Sequence, residues 1–189
     1  MKKLNKATTI ISGIGEVVFW IGTAFSFVMA IISAVGKLDW LSYLSDINPG
    51  ATIDLTSTGF SLESADGSPM TKGAYIIFFI TMIFVYSNLA MIFRNVKLIL
   101  KTANGNTWFS KGKTPFQPDN IRMVREIGIF FISIPVIEFV MSIISRLALP
   151  QNIECSVEFV FVIVGFVVIC LSQYFAYGMA LQNDVDGLL

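Results

Sequence analysis

The chain has 189 residues, 54% hydrophobic and 14% charged, with a formal net charge of zero. Soluble domains carry nearer a quarter charged residues, so the composition excludes an ordinary soluble core, and the neutral balance gives no basis for direct nucleic-acid binding. The absence of histidine, with only two cysteines, removes histidine-based catalysis and the usual zinc, copper and haem ligand sets; no metal, cofactor or catalytic residue is expected.

Lys2, Lys3 and Lys6 lead into an apolar run at 10–35. A membrane span needs about 20 apolar residues, whereas a secretory signal core has about 7–15. This run is longer and contains Glu16, so it reads as a retained first span. Gly22, Ser26, Ala30 and Ala34 recur every four residues, with Gly15 and Ser33 near the same side. Small residues at that spacing form a groove that a neighbouring backbone can approach closely. This places the first helix centrally, with a homodimer seam as the alternative use.

Residues 36–73 are polar, with Asp39, Asp46, Asp54, Glu63 and Asp66 against Lys37 and Lys72. Partial alternation at 51–55 and 59–63, around Thr56-Ser57-Thr58, predicts a small β-hairpin above the membrane. Asp66-Gly67-Ser68-Pro69 supplies a closing turn. A second span follows at 74–93.

The stretch 94–126 is basic, with Arg94, Lys97, Lys101, Lys111, Lys113, Arg122 and Arg125. The second helix continues into it until Asn104-Gly105-Asn106. A new helix starts near Pro118, which suits a first helical position. Asp119 favours the positive end of the helix dipole, and Phe116 and Ile121 are spaced for a hydrophobic staple. The third and fourth spans, 127–149 and 157–181, are joined by a tight turn at Pro150-Gln151-Asn152. Cys155 and Cys170 are expected to be free thiols.

Lys and Arg mark cytoplasmic segments. Both termini and 94–126 are therefore expected inside, and 36–73 and the short turn outside. The predicted fold is an all-α membrane protein: a four-transmembrane-helix bundle with a small β-hairpin in its first extracytoplasmic loop. Arg94, Lys97, Lys101, Arg122 and Arg125 are candidates for contact with the anionic inner leaflet or with a cytoplasmic partner.

One acid stands within the third span, in Ser133-Ile134-Pro135-Val136-Ile137-Glu138. An acid near the bilayer centre costs roughly 2.5 kcal/mol or more and faces the protein interior. Ser142 and Ser145 share its helical face, and Pro135 should loosen the helix beside it. Glu16, Asn88, Gln173 and Tyr177 complete a predicted polar layer. Gln173 is the expected partner of Glu138, and Arg94 that of Glu16. Three readings stay open: a hydrogen-bonded strut, the wall of a cavity for a small molecule or lipid, and a proton or ion pathway.

The order of parts, with "TPFQPDNIRMVREIG" at 114–128 and "YFAYGMALQNDVDGLL" at 174–189, resembles a bacterial membrane-protein family designated domain of unknown function 2975. The resemblance implies an α-helical inner-membrane protein with no established activity. Such proteins are often encoded beside a small helix-turn-helix regulator, which implies a regulatory or envelope-response role. The expected function is a non-enzymatic sensory or regulatory module acting with a cytoplasmic regulator or a membrane-protein partner. The alternatives are an immunity or resistance protein against a membrane-active peptide, and a small-solute or lipid-binding carrier.

Overall fold

Each of the four apolar runs forms one continuous helix, longer than the run that predicted it. The computed structural model describes residues 2–35, 55–57, 60–64, 71–110, 114–149 and 153–187. In chain order the elements are α1 (Lys2–Val35), β1 (Leu55–Ser57), β2 (Phe60–Ser64), α2 (Lys72–Ala103), α3 (Pro118–Ala148), β3 (Ile153–Val157) and α4 (Val160–Asp186). All four helices are long and apolar enough to cross a membrane. The 34 residues of α1 rise about 51 Å against a hydrocarbon core of about 30 Å, so the helices have turns to spare.

The helix ends follow local chemistry. Gly105 adopts a φ of 75°. The amides of Gly105 and Asn106 reach back to the carbonyls of Thr102 and Lys101, at 3.0 and 2.9 Å. This is a Schellman closure, which satisfies carbonyls that a helix end leaves unpaired. Helix α3 starts at Pro118, as its fixed φ and missing N–H favour.

The strands differ from expectation in number and place. The expected hairpin forms, with Leu55 opposite Leu62 and Ser57 opposite Phe60; its predicted residues 51–54 and the turn at 66–69 lie outside the described residues. Ile153–Val157, expected as part of a tight connection, is instead a third strand. It pairs antiparallel with β2, with Phe60 opposite Val157 and Ser64 opposite Ile153. Cys155 thus lies in a strand rather than a loop. The order is β1-β2-β3.

The chain divides into two compact units. One holds α1 up to Trp20, α2 from Ser87, α3 up to Ser133, and α4; the other holds the remaining parts of α1, α2 and α3 with the sheet.

In the first unit, α3 and α4 meet backbone to backbone. A Cβ added at Gly128 would lie 2.7 Å from the Gly165 carbonyl oxygen, and one at Gly165 would lie 2.6 Å from that of Gly128. Phe131 stacks on Phe161 with centroids 6.1 Å apart. At the start of α3, the Phe116 ring covers Gly178, 2.4 Å from where a Cβ would stand. Phe116 thus packs against α4, a contact outside the staple read from sequence. Helix α1 meets α2 where Gly15 gives way to the Phe93 ring, and Phe19 stacks on that ring at 5.4 Å.

In the second unit, Phe60 and Leu62 are fully buried against Ala74, Tyr75, Phe78 and Met82 of α2, with Met141 and Leu149 beside them. Ser57 Oγ lies 2.9 Å from Tyr86 Oη. Tyr86 stands 14 residues into α2, about 21 Å along its axis. The sheet therefore lies along the flank of α2.

The small-residue groove of α1 is used inside the chain, with Tyr86 closing on Gly22 and Phe93 on Gly15. Ser26 and Ser33 are buried in it, Ala30 is half-buried, and Ala34 is exposed. Ala34 thus falls off the seam because 3.6 residues per turn rotate it away. The central placement of α1 is not met either. Its apolar side chains are exposed from Ile10 to Val35, whereas α2 supplies most of the buried core.

Gly165→Val should therefore lower the melting temperature in detergent, costing about 1–3 kcal/mol through overpacking. Gly13→Ala should be nearly neutral, because its added Cβ meets only the flexible end of Lys97, at 3.7 Å. Circular-dichroism melts of the two variants check the pair.

Candidate functional site

Polar groups away from water need partners, and in the first unit nearly every one named here has its own. Lys97 Nζ pairs with a Glu16 carboxylate oxygen. Arg94, expected in that role, is exposed one turn earlier on α2. Lys97 stands one turn beyond Phe93, which packs on Gly15 of α1, and residues four apart share a helix face, so Lys97 is set beside Glu16. Ser133 Oγ bonds to Asn88 Oδ1 at 2.8 Å. Asn95 Nδ2 donates to Glu126 Oε2 at 3.1 Å, and Arg122 Nε lies 3.3 Å from the other Glu126 oxygen.

Gln173 and Tyr177 leave the predicted layer. Both are exposed on α4. The register explains why: Gln173 falls between the Gly128–Ile169 and Phe116–Phe175 contacts, alongside the opening turns of α3. Ser172, one residue earlier, takes the buried position and spends its hydroxyl on the Ile169 carbonyl at 2.6 Å.

A buried polar knot that the sequence reading missed holds the elbow before α3. Gln117 and Asn120 are almost wholly enclosed. Gln117 Nε2 donates to the Thr114 carbonyl at 2.8 Å, and Asn120 Nδ2 to that of Pro115 at 2.9 Å. Thr114 Oγ1 donates to Gln182 Oε1 of α4 at 2.8 Å. The available signal was Gln117 and Asn120, two amides bracketing Pro118.

Glu138 differs from all of these. Its side chain is fully buried, and neither carboxyl oxygen has a hydrogen-bond partner among the described residues. It belongs to the second unit, on the segment of α3 that also carries Met141 and Leu149 of the sheet-packed core. Ser142, one turn further, is buried. Ser145 is buried too, and its hydroxyl is spent on the Ser142 carbonyl at 2.9 Å. Glu158, just after β3, is exposed.

This arrangement suits reception of a donor. A buried carboxyl with both oxygens unsatisfied costs about 1–3 kcal/mol or more, which a proton, a cation or an N–H or O–H donor would offset. No group of three or more His, Cys, Asp or Glu side chains is placed to hold a metal among the described residues. Cys170 is a free, exposed thiol.

No protein-family model, curated protein or solved structure matches the chain.

Lys97→Met should destabilise the fold by about 1–3 kcal/mol, because it strands a mostly buried Glu16. The double variant Glu16→Gln/Lys97→Met should recover part of that loss, and a double-mutant cycle of melting temperatures measures the coupling. Tyr86→Phe should cost about 0.5–1.5 kcal/mol by releasing Ser57, read as faster hydrogen exchange at 55–64.

Proposed function

We propose that this protein is a non-enzymatic sensory or regulatory module of a bacterial plasma membrane, with both termini and the basic segment 94–126 on the cytoplasmic side. The observation that carries this reading is Glu138, enclosed by the chain yet given no donor among the described residues. Its occupant would be a small molecule or lipid carrying a cationic or hydrogen-bond-donating group. Entry would be from the sheet side. Irregular or edge backbone at membrane depth is tolerated only where protein covers it or it lines a watered cavity, and β1 and β3 are both sheet edges.

The output surface would be the cytoplasmic end, where Arg94, Lys101, Arg122 and Arg125 are exposed. Basic side chains there fit an acidic cytoplasmic regulator. The family resemblance at 114–128 and 174–189 supports a regulatory role in the same direction. A homodimer through the α1 groove is disfavoured, because Phe93 and Tyr86 of the same chain fill it.

Glu138→Gln separates function from folding. The variant should accumulate at wild-type abundance, because an amide matches the carboxyl in shape. It should lose the small molecules or lipids that co-purify with wild type from native membranes, and the transcriptional response of neighbouring genes to envelope stress. An unchanged lipid and small-molecule profile, with an unchanged response, would contradict the proposal. Solute uptake into proteoliposomes by wild type but not by the variant would replace it with the carrier reading.

A further inference from the structure

The first unit ends in a rim of aromatic and basic side chains that the Glu138 site does not use. Trp108 is 95% exposed, with Phe109 set edge-on beside it, centroids 5.3 Å apart. The turn that displays it is well fastened. Ser110 Oγ donates to the Thr102 carbonyl at 2.9 Å, Thr107 Oγ1 to Thr102 Oγ1 at 3.2 Å, and the Ser110 amide to the Thr107 carbonyl at 3.2 Å. Thr102 itself is fully buried. Trp108 is thus held outward by an anchored turn.

The same turn is tied to α4. Gln117 Nε2 lies 3.4 Å from the Thr102 carbonyl, and the elbow containing Gln117 packs Phe116 on Phe175 with centroids 6.0 Å apart. Tyr174 and Tyr177, close to Phe175 in sequence, are 71% and 70% exposed. The turn bearing Trp108 is thus linked, through Thr102, Gln117 and Phe116, to the stretch of α4 that bears Tyr174 and Tyr177. Lys101, next to Thr102, is exposed, and the sequence beyond Trp108 continues Lys111-Gly112-Lys113. Exposed Trp and Tyr beside Lys suit the border between lipid tails and water. Basic side chains there are drawn to anionic headgroups, each worth about 1 kcal/mol near the surface.

We propose that this rim seats in the headgroup layer of an anionic membrane leaflet, with Trp108 inserted as its anchor and Lys101 on lipid phosphate. The occupant is lipid, argued from charge complementarity and from the linked, exposed aromatic side chains. The proposal is independent of Glu138 and its occupant.

The chain has three tryptophans, so Trp20→Phe/Trp40→Phe leaves Trp108 as the only one. The full-length variant is reconstituted in vesicles of phosphatidylcholine, with or without phosphatidylglycerol, carrying bromine at shallow or deep acyl positions. Blue-shifted emission is expected, with shallow bromines quenching more than deep ones. Acrylamide should quench several-fold less than it quenches free tryptophan amide, and phosphatidylglycerol should enhance the protection. Emission like that of free tryptophan amide, untouched by either bromine, would overturn the proposal and leave the rim for a protein partner. Stronger quenching by deep bromines, or indifference to phosphatidylglycerol, would also overturn it. If the double variant does not fold, the emission difference between wild type and Trp108→Phe gives the same readout.

Discussion

Lipid offers no hydrogen bonds, and that constraint explains where this chain puts most of its polar side chains. Some are spent on their own helix: Thr81 donates to the Ile77 carbonyl at 2.8 Å, and Ser145 and Ser172 donate to carbonyls three residues back. Others are paired between helices, and α2 is a member of most pairs. Within the first unit it supplies Lys97 to Glu16, Asn88 to Ser133 and Asn95 to Glu126. Within the second it supplies Tyr86 to Ser57 of the sheet. Its apolar faces do the packing in between, through Phe93 against Gly15 and Phe78 against Phe60.

Among the described residues Ser33 Oγ, Thr71 Oγ1 and Asn120 Oδ1 are buried without a partner, and Glu138 is the buried acid in that position. Removing charge from water is expensive, and a lone buried carboxyl recovers nothing by Coulomb attraction. The sheet makes that position intelligible. It is packed against apolar residues of α2 and α3. Buried acid and strand edges occur in the same unit. Both call for a polar occupant, which is the physical basis for reading the site as a receptor.

The helices were legible because long apolar runs leave few alternatives. The elbow at Pro118 and the stop at Gly105 were legible because proline and glycine act locally. Strand β3 was not, since its partner β2 lies more than ninety residues earlier in the chain, and Pro150-Gln151-Asn152 looked sufficient as a turn. The polar layer failed for a related reason. Depth along each helix was readable at 1.5 Å per residue, but register between helices was not. The Gly128–Gly165 contact sets Gln173 beside the start of α3. The Lys97 pairing turned on a single helical turn, which spacing alone does not resolve. The burial of Glu138 and Ser142 was legible, because an acid amid apolar neighbours has one economical direction to face.

The claim to test is that no described residue gives Glu138 a donor. It is tested most directly by comparing the thermal stability of wild type and Glu138→Leu in lipid nanodiscs. Removing an unsatisfied buried polar group is neutral or stabilising, whereas removing a bonded one costs about 1–3 kcal/mol. The account predicts an unchanged or higher melting temperature for Glu138→Leu in protein stripped of co-purifying molecules. A fall of several degrees would contradict it, because it would mean that a group within the chain already holds the carboxyl.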